Sequence, residues 1–216
     1  MRIQLSTGTT AELARCEGEP KAGVVLFPDI MGLRPLFDDM CAQMALENQW
    51  VVCAPEPFSG REDLDVAQRL AAMRDLREEN LRADALAAAD ATGCENVMAT
   101  GFCMGGMLTF KAAASGRFAR AAGFYGMIRL PADWAGGTLA EPIVALAEAK
   151  CPVMAIIGTA DTFTPPADVD AAEALGVQVV RYEGAEHGFV HDASRPAHRA
   201  DDAADAWQKV RLFLQL

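Results

Sequence analysis

The chain has 216 residues, 51% of them apolar and 23% charged, which suits one unit with a large core better than two small ones. Its 30 Asp and Glu residues against 19 Lys and Arg give a net charge of −11, a balance that disfavours nucleic acid and anionic membrane and leaves a small molecule or another protein as partner. No apolar stretch approaches the ~20 residues that span a bilayer, and "MRIQLSTGTT" lacks the apolar run of a secretory signal, so a cytoplasmic protein is expected.

Along the chain, "RIQLST" and "TAELARCE" alternate polar and apolar residues around Gly8, which predicts an antiparallel hairpin with one wet face at a sheet edge. From Gly23 the pattern changes. "GVVLFP", "WVVCAPEP", "NVMATGF", "RAAGFYG", "VMAIIGTAD" and "VQVVRYEG" are short, nearly continuous apolar runs, as expected of parallel strands buried on both faces. Between them lie helix-like segments: Leu36 to Asn48, two stretches within 62–91, Met104 to Ser115, Leu139 to Ala149 and Pro166 to Leu175. The closing "AHRADDAADAWQKVRLFLQL" places Ala203, Trp207, Val210 and Leu214 on one helical face. Strands alternating with helices predict an open α/β fold, a mostly parallel sheet of about eight strands with helices on both faces. No linker divides residues 1–216, so a single domain is expected, with Gly136 and Gly137 in a surface loop.

The six cysteines contain no C-x-x-C pair, so neither a zinc ribbon nor a thioredoxin motif is signalled. One cysteine stands apart. "GFCMG", Gly101 to Gly105, sits where an apolar strand runs into a helix and has the spacing of the G-x-S-x-G nucleophile elbow, with Cys103 in the serine position. A strand that turns directly into a helix needs glycine two positions to either side, where a side chain would crowd the neighbouring backbone. The helix N-terminus also favours a thiolate.

An elbow nucleophile needs an acid and a histidine that arrive later in that order. The three histidines are His187, His191 and His198. His187, in "YEGAEHGF", follows the last apolar run, whereas His191 and His198 lie near or within the closing helix and are expected on its solvated face. "VMAIIGTAD" ends in Asp161. Asp168 and Asp170 follow a Pro-Pro helix start, where a carboxylate favours the first turn. Asp161 is therefore the orienting acid, expected to fix the imidazole tautomer and turn its other nitrogen toward Cys103.

Taken together, "GFCMGG", "GFYG", "GTAD", "EHGF" and the "RPAH...DAW" run resemble the dienelactone hydrolase family of the α/β-hydrolase fold. The resemblance runs from Gly23 nearly to the end. It implies a cysteine nucleophile at Cys103, with Asp161 and His187 completing the triad. It also implies an oxyanion hole made by the backbone N–H groups of Ile30 and Met104, and it draws attention to "FPDIMGL". There the family often carries a glutamate that contacts the thiol, whereas this chain has the shorter Asp29, which either keeps that contact or serves as a turn residue after Pro28. Where the family places a carboxylate-binding arginine shortly after the histidine, this chain has His191. Arg34 and Arg69 are near enough in sequence to reach a pocket, but each is read first as a solvated helix charge.

The implied reaction is acyl transfer through a thioester, with no cofactor and no metal. A thiol has a reference pKa of about 8.5 and leaves readily, so the tetrahedral intermediate goes forward only when the substrate's own leaving group is comparably stable. That condition points to enol esters and enol lactones, a dienelactone among them. A general carboxylesterase or thioesterase is the nearest alternative, and a non-catalytic α/β binding domain with a redox-sensitive Cys103 a more distant one. A metal site built on His187 and His191 is disfavoured because Gly188 interrupts the helix that such spacing wants. A monomer or small homo-oligomer is expected.

Overall fold

The β-branched and aliphatic runs after Gly23 form six parallel strands, because only a sheet covered on both faces can bury every residue of such a run. The computed structural model describes residues 1–215. The strands are β1 (Arg2–Gln4), β2 (Thr10–Arg15), β3 (Ala22–Phe27), β4 (Trp50–Pro55), β5 (Val97–Phe102), β6 (Ala121–Phe124), β7 (Val153–Gly158) and β8 (Gln178–Tyr182). They join one sheet in the order β1-β2-β4-β3-β5-β6-β7-β8. The hairpin β1–β2 is antiparallel and attaches to β4 antiparallel, at the edge as predicted. The remaining pairings are parallel.

Among the described residues seven α-helices accompany the strands: α1 (Pro35–Asn48), α2 (Val66–Ala72), α3 (Glu78–Ala91), α4 (Met104–Ala112), α5 (Pro142–Ala147), α6 (Pro166–Ala174) and α7 (Ala200–Leu214), the last following β8. The apolar faces of α1 and α7 pack on one side of the sheet around Phe37, Phe102, Phe124 and Val210. Buried residues of α2 to α6 pack on the other, around Phe27, Met107, Phe110 and Val169. Trp207 lies against Phe102 and Phe124 with ring centroids 5.5 and 4.9 Å away. No helix among the described residues is long and apolar enough to cross a membrane.

One expectation changes here. β8 is the outer strand, and most of it is half-buried or exposed, so its apolar run does not mark burial on both faces. The Gly136-Gly137 stretch is an exposed loop as expected, and it is anchored: Trp134 just before it is buried, and a side chain at Gly137 would overlap the Arg74 carbonyl. A short 3₁₀ turn over Ala132–Trp134 thereby closes down onto the segment after α2.

The chain leaves β3 toward β4 and later returns to β5 on β3's other side. The loops after β3 and β5 therefore diverge at the carboxyl ends of neighbouring strands, the place where open α/β sheets bind ligands.

Candidate active site

Cys103 occupies the single-residue turn between β5 and α4 with φ 58° and ψ −119°. An L-residue rarely adopts positive φ, and such strain persists only where the surroundings over-determine it. The glycines do this. A side chain at Gly101 would overlap the Gly105 carbonyl, and one at Gly105 would overlap the carbonyls of Phe27 and Pro28. At Gly106 it would come within 2.6 Å of the Phe124 carbonyl. The first turn of α4 thus rests directly on the ends of β3 and β6, and the Cys103 N–H donates to the Phe124 carbonyl at 3.0 Å.

The other two members of the predicted constellation arrive from distant loops. Asp161 follows β7 and is buried. Its Oδ1 accepts from the Phe163 N–H at 2.8 Å, which leaves Oδ2 for His187 Nδ1, also at 2.8 Å. His187 lies in the turn segment after β8, with Phe163 and Tyr125 against its ring at 4.9 and 5.1 Å. Asp168 and Asp170 pair instead with Arg129 and Arg181 on the surface of α6.

Burial works against the imidazolium of His187, but the hydrogen bond to Asp161 and the influence of the Cys103 sulfur outweigh it and raise the pKa to about 9. The sulfur favours the imidazolium both as a hydrogen-bonding partner and through its charge. Because the folded pKa lies above the ordinary 6.5, the charge-linked stabilisation is complete below about pH 6.5 and disappears as pH rises through about 9. An NMR titration of the His187 ring should therefore place its midpoint near pH 9, and Cys103→Ala should lower it.

Cys103 and His187 open into one cavity of about 690 Å³. Ile30, Met127, Trp134 and Phe163 give it an apolar wall, and its charged lining residues are Arg74, Arg195 and Asp133. Ile30 stands at its edge and Met104 begins α4. Neither residue's backbone N–H donates to an acceptor among the described residues, as the first N–H groups of a helix and of an open loop allow.

Several expectations give way at this point. His191 is not on a solvated helix face. It lies ahead of α7, is 5% exposed and stacks on Phe102 at 4.7 Å. His198 also precedes α7. Asp29 is buried and makes no hydrogen bond to Cys103. Its Oδ1 accepts from the Met31 N–H at 2.9 Å and from Arg34 at 2.7 Å, and its Oδ2 meets His191 Nε2 at 2.8 Å. The turn role is therefore present, with a part-buried ion pair to Arg34 added to it. The contact with His191 explains why both residues tolerate burial: each satisfies the other's polar atoms.

Arg69 is likewise not a solvated charge. It is buried and donates to Glu56 Oε1 at 2.8 Å and to the carbonyls of Glu62 and Leu64. Arg34 stays with Asp29, and neither arginine lines the cavity. Arg195, which does, opens the "RPAH" run quoted above, but nothing in the sequence shows that it faces the cavity. Trp134 is hidden in the same way behind two glycines.

The sequence profile of the dienelactone hydrolase family matches residues 9–216. A Synechocystis protein provisionally named carboxymethylenebutenolidase is 30% identical over 212 residues, spanning 89% of this chain and 85% of the relative. One of the same provisional name from Methylorubrum extorquens is 29% identical over 213 residues, spanning 90% and 72%. Among solved structures, a dienelactone hydrolase-like promiscuous phosphotriesterase from metagenomic libraries superposes with a TM-score of 0.80 at 21% identity, covering 99% of this chain and 96% of its own. A provisionally named dienelactone hydrolase from Klebsiella pneumoniae gives a TM-score of 0.77 at 23% identity, covering 99% and 97%. Both share the α/β-hydrolase fold. The extent of the profile match shows that this chain belongs to the dienelactone hydrolase family, a family of hydrolases.

Proposed function

We propose that the chain hydrolyses enol esters or enol lactones through a thioester on Cys103, with His187 and Asp161 as base and orienter. The observation that carries this reading is the strained Cys103 turn sharing one cavity with an imidazole held by a buried carboxylate at 2.8 Å. The raised pKa of His187 keeps it an imidazolium at neutral pH. The sulfur then attacks as thiolate, and an S–C bond forms as the carbonyl π pair moves to oxygen. The Ile30 and Met104 N–H groups stabilise that oxyanion. Collapse breaks the C–O bond, the enolate departs, and His187 supplies its proton. The neutral imidazole next takes a proton from water, whose oxygen attacks the thioester. The S–C bond breaks, the acid is released and the thiolate–imidazolium pair returns.

A thiolate nucleophile favours leaving groups of comparable stability, which is the reason to place enol and aryl esters ahead of alkyl esters and peptides. The apolar wall beside Arg195 suits a small unsaturated ester that carries an acid group. A carboxylesterase or thioesterase of the same fold differs only in the acyl partner.

Intact-protein mass measurement during turnover of an enol lactone, an aryl ester, an alkyl ester and an acyl thioester tests the reading. The expected result is an acyl adduct that forms and clears, fastest with the enol lactone, and is absent in Cys103→Ala. An adduct that survives the substitution, or equal turnover of alkyl esters and enol lactones, would overturn it.

A further inference from the structure

Three buried polar side chains beside the site take no part in the reaction above. Asp29 follows β3, Tyr125 follows β6 and His191 precedes α7, yet they form one hydrogen-bonded chain. His191 Nε2 meets Asp29 Oδ2 at 2.8 Å, and His191 Nδ1 meets the Tyr125 hydroxyl at 2.5 Å. Burial holds His191 neutral. The hydrogen bonds from His191 and Arg34 overcome the same penalty at Asp29 and keep its carboxyl well below the usual range. The proton therefore sits on Nε2 and points at Asp29, and Nδ1 accepts the Tyr125 O–H.

Each end of this chain reaches a working part of the site. Asp29 immediately precedes Ile30, which lines the cavity and whose N–H has no acceptor among the described residues, and Glu56 grips the far end of the same loop through the Leu33 N–H at 2.7 Å. His191 stacks on Phe102, the residue before Cys103. Tyr125 lies edge-on to His187 and is itself strained, with φ 39°. The strain has a visible cause: the next residue, Gly126, packs so closely on Gly106 that a side chain there would overlap the α4 backbone. Tyr125 is held in this conformation by its hydroxyl bond to His191 and by its N–H donating to the Ile156 carbonyl at 2.7 Å.

We propose that His191 is a positioning residue, which ties the Asp29–Leu33 loop to the strained Tyr125 and thereby fixes the Ile30 N–H at the distance from Cys103 that an oxyanion requires. This rests on the thioester reading above. The tie to Asp29 carries the effect, because Asp29 is the link adjacent to Ile30. An oxyanion donor acts mainly in the transition state, so its displacement lowers kcat and leaves KM nearly unchanged.

Glutamine and asparagine separate the two bonds. A glutamine amide reaches the Nε2 position and can still donate to Asp29, whereas asparagine reaches only the Nδ1 position and keeps the Tyr125 bond alone. With 4-nitrophenyl acetate, His191→Asn should lower kcat by about tenfold or more, with KM within about twofold, and His191→Gln should restore most of it. Alkylation of Cys103 by iodoacetamide develops no oxyanion and should keep its wild-type rate in both. Asp29→Ala cuts the same tie from the other side and should show the same split should His191→Asn lose its native circular dichroism. Equal kcat in the two His191 variants, or alkylation that slows in step with kcat, would overturn the positioning role while the thioester reading stands. A wild-type protein that turns over no ester would overturn both.

Discussion

Cys103→Ala is expected to lower kcat/KM for an aryl or enol ester by on the order of 10⁴-fold or more, and His187→Ala by a comparable factor, because members of a nucleophile–base unit fail together. The double variant should be scarcely slower than either single one. The physical reason is that neither group works alone: the sulfur without the imidazole lacks its proton partner, and the imidazole without the sulfur has nothing to acylate. Asp161→Asn should fall in the same direction. Asp161 accepts from both His187 and the Phe163 N–H, so an amide at this position can place its NH₂ against the ring and favour the wrong tautomer. Steady-state kinetics, with circular dichroism to show that each variant is folded, make the comparison. A loss of less than about tenfold in folded Cys103→Ala would put the nucleophile elsewhere.

The second large effect concerns stability. Arg69→Met should destabilise the fold by about 3–5 kcal/mol, because it strands a buried carboxylate. Glu56 and Arg69 have side chains 1% and 3% exposed, so water cannot replace the lost partner. Glu56 would keep only the N–H groups of Leu33 and Phe58, at 2.7 and 3.0 Å. Adding Glu56→Gln to Arg69→Met removes the stranded charge and should recover a good part of the loss. For a chain of this length the single substitution corresponds to a fall in Tm of roughly 10 °C. Urea unfolding of the wild type, the single and the double variant measures both quantities. A single variant within about 1 kcal/mol of wild type would mean that the pair is dispensable to the fold. Because Glu56 also holds the loop that carries Ile30, the single variant should lose activity as well.

Much of the candidate site is written locally. The glycines around Cys103 announce a strand-to-helix turn because the steric demand they meet lies within five residues of sequence. Asp161 and His187 each end an apolar run, and the carboxyl ends of parallel strands are brought to one rim by topology alone. Those three positions could therefore be read from order and spacing. His191 could not. Near an amphipathic helix its sequence context reads as solvated, and the partners that pay for its burial, Asp29 and Tyr125, are 162 and 66 residues away. Arg69 misled in the same way, since a helical arginine looks exposed until Glu56 comes into view. β8 shows the converse error, because an apolar run says that a strand can be covered on both faces and says nothing of whether it lies at the edge.

By itself the sequence determined the α/β architecture, the hairpin at the edge, the cysteine elbow and the acid and histidine that follow it, since these depend on periodicity, glycine sterics and chain order. Only the tertiary structure decided which charges are buried, which arginines line the cavity, and that Asp29, His191 and Tyr125 meet. Burial of a polar side chain is decided by the partner that satisfies it, and such a partner can come from any part of the chain.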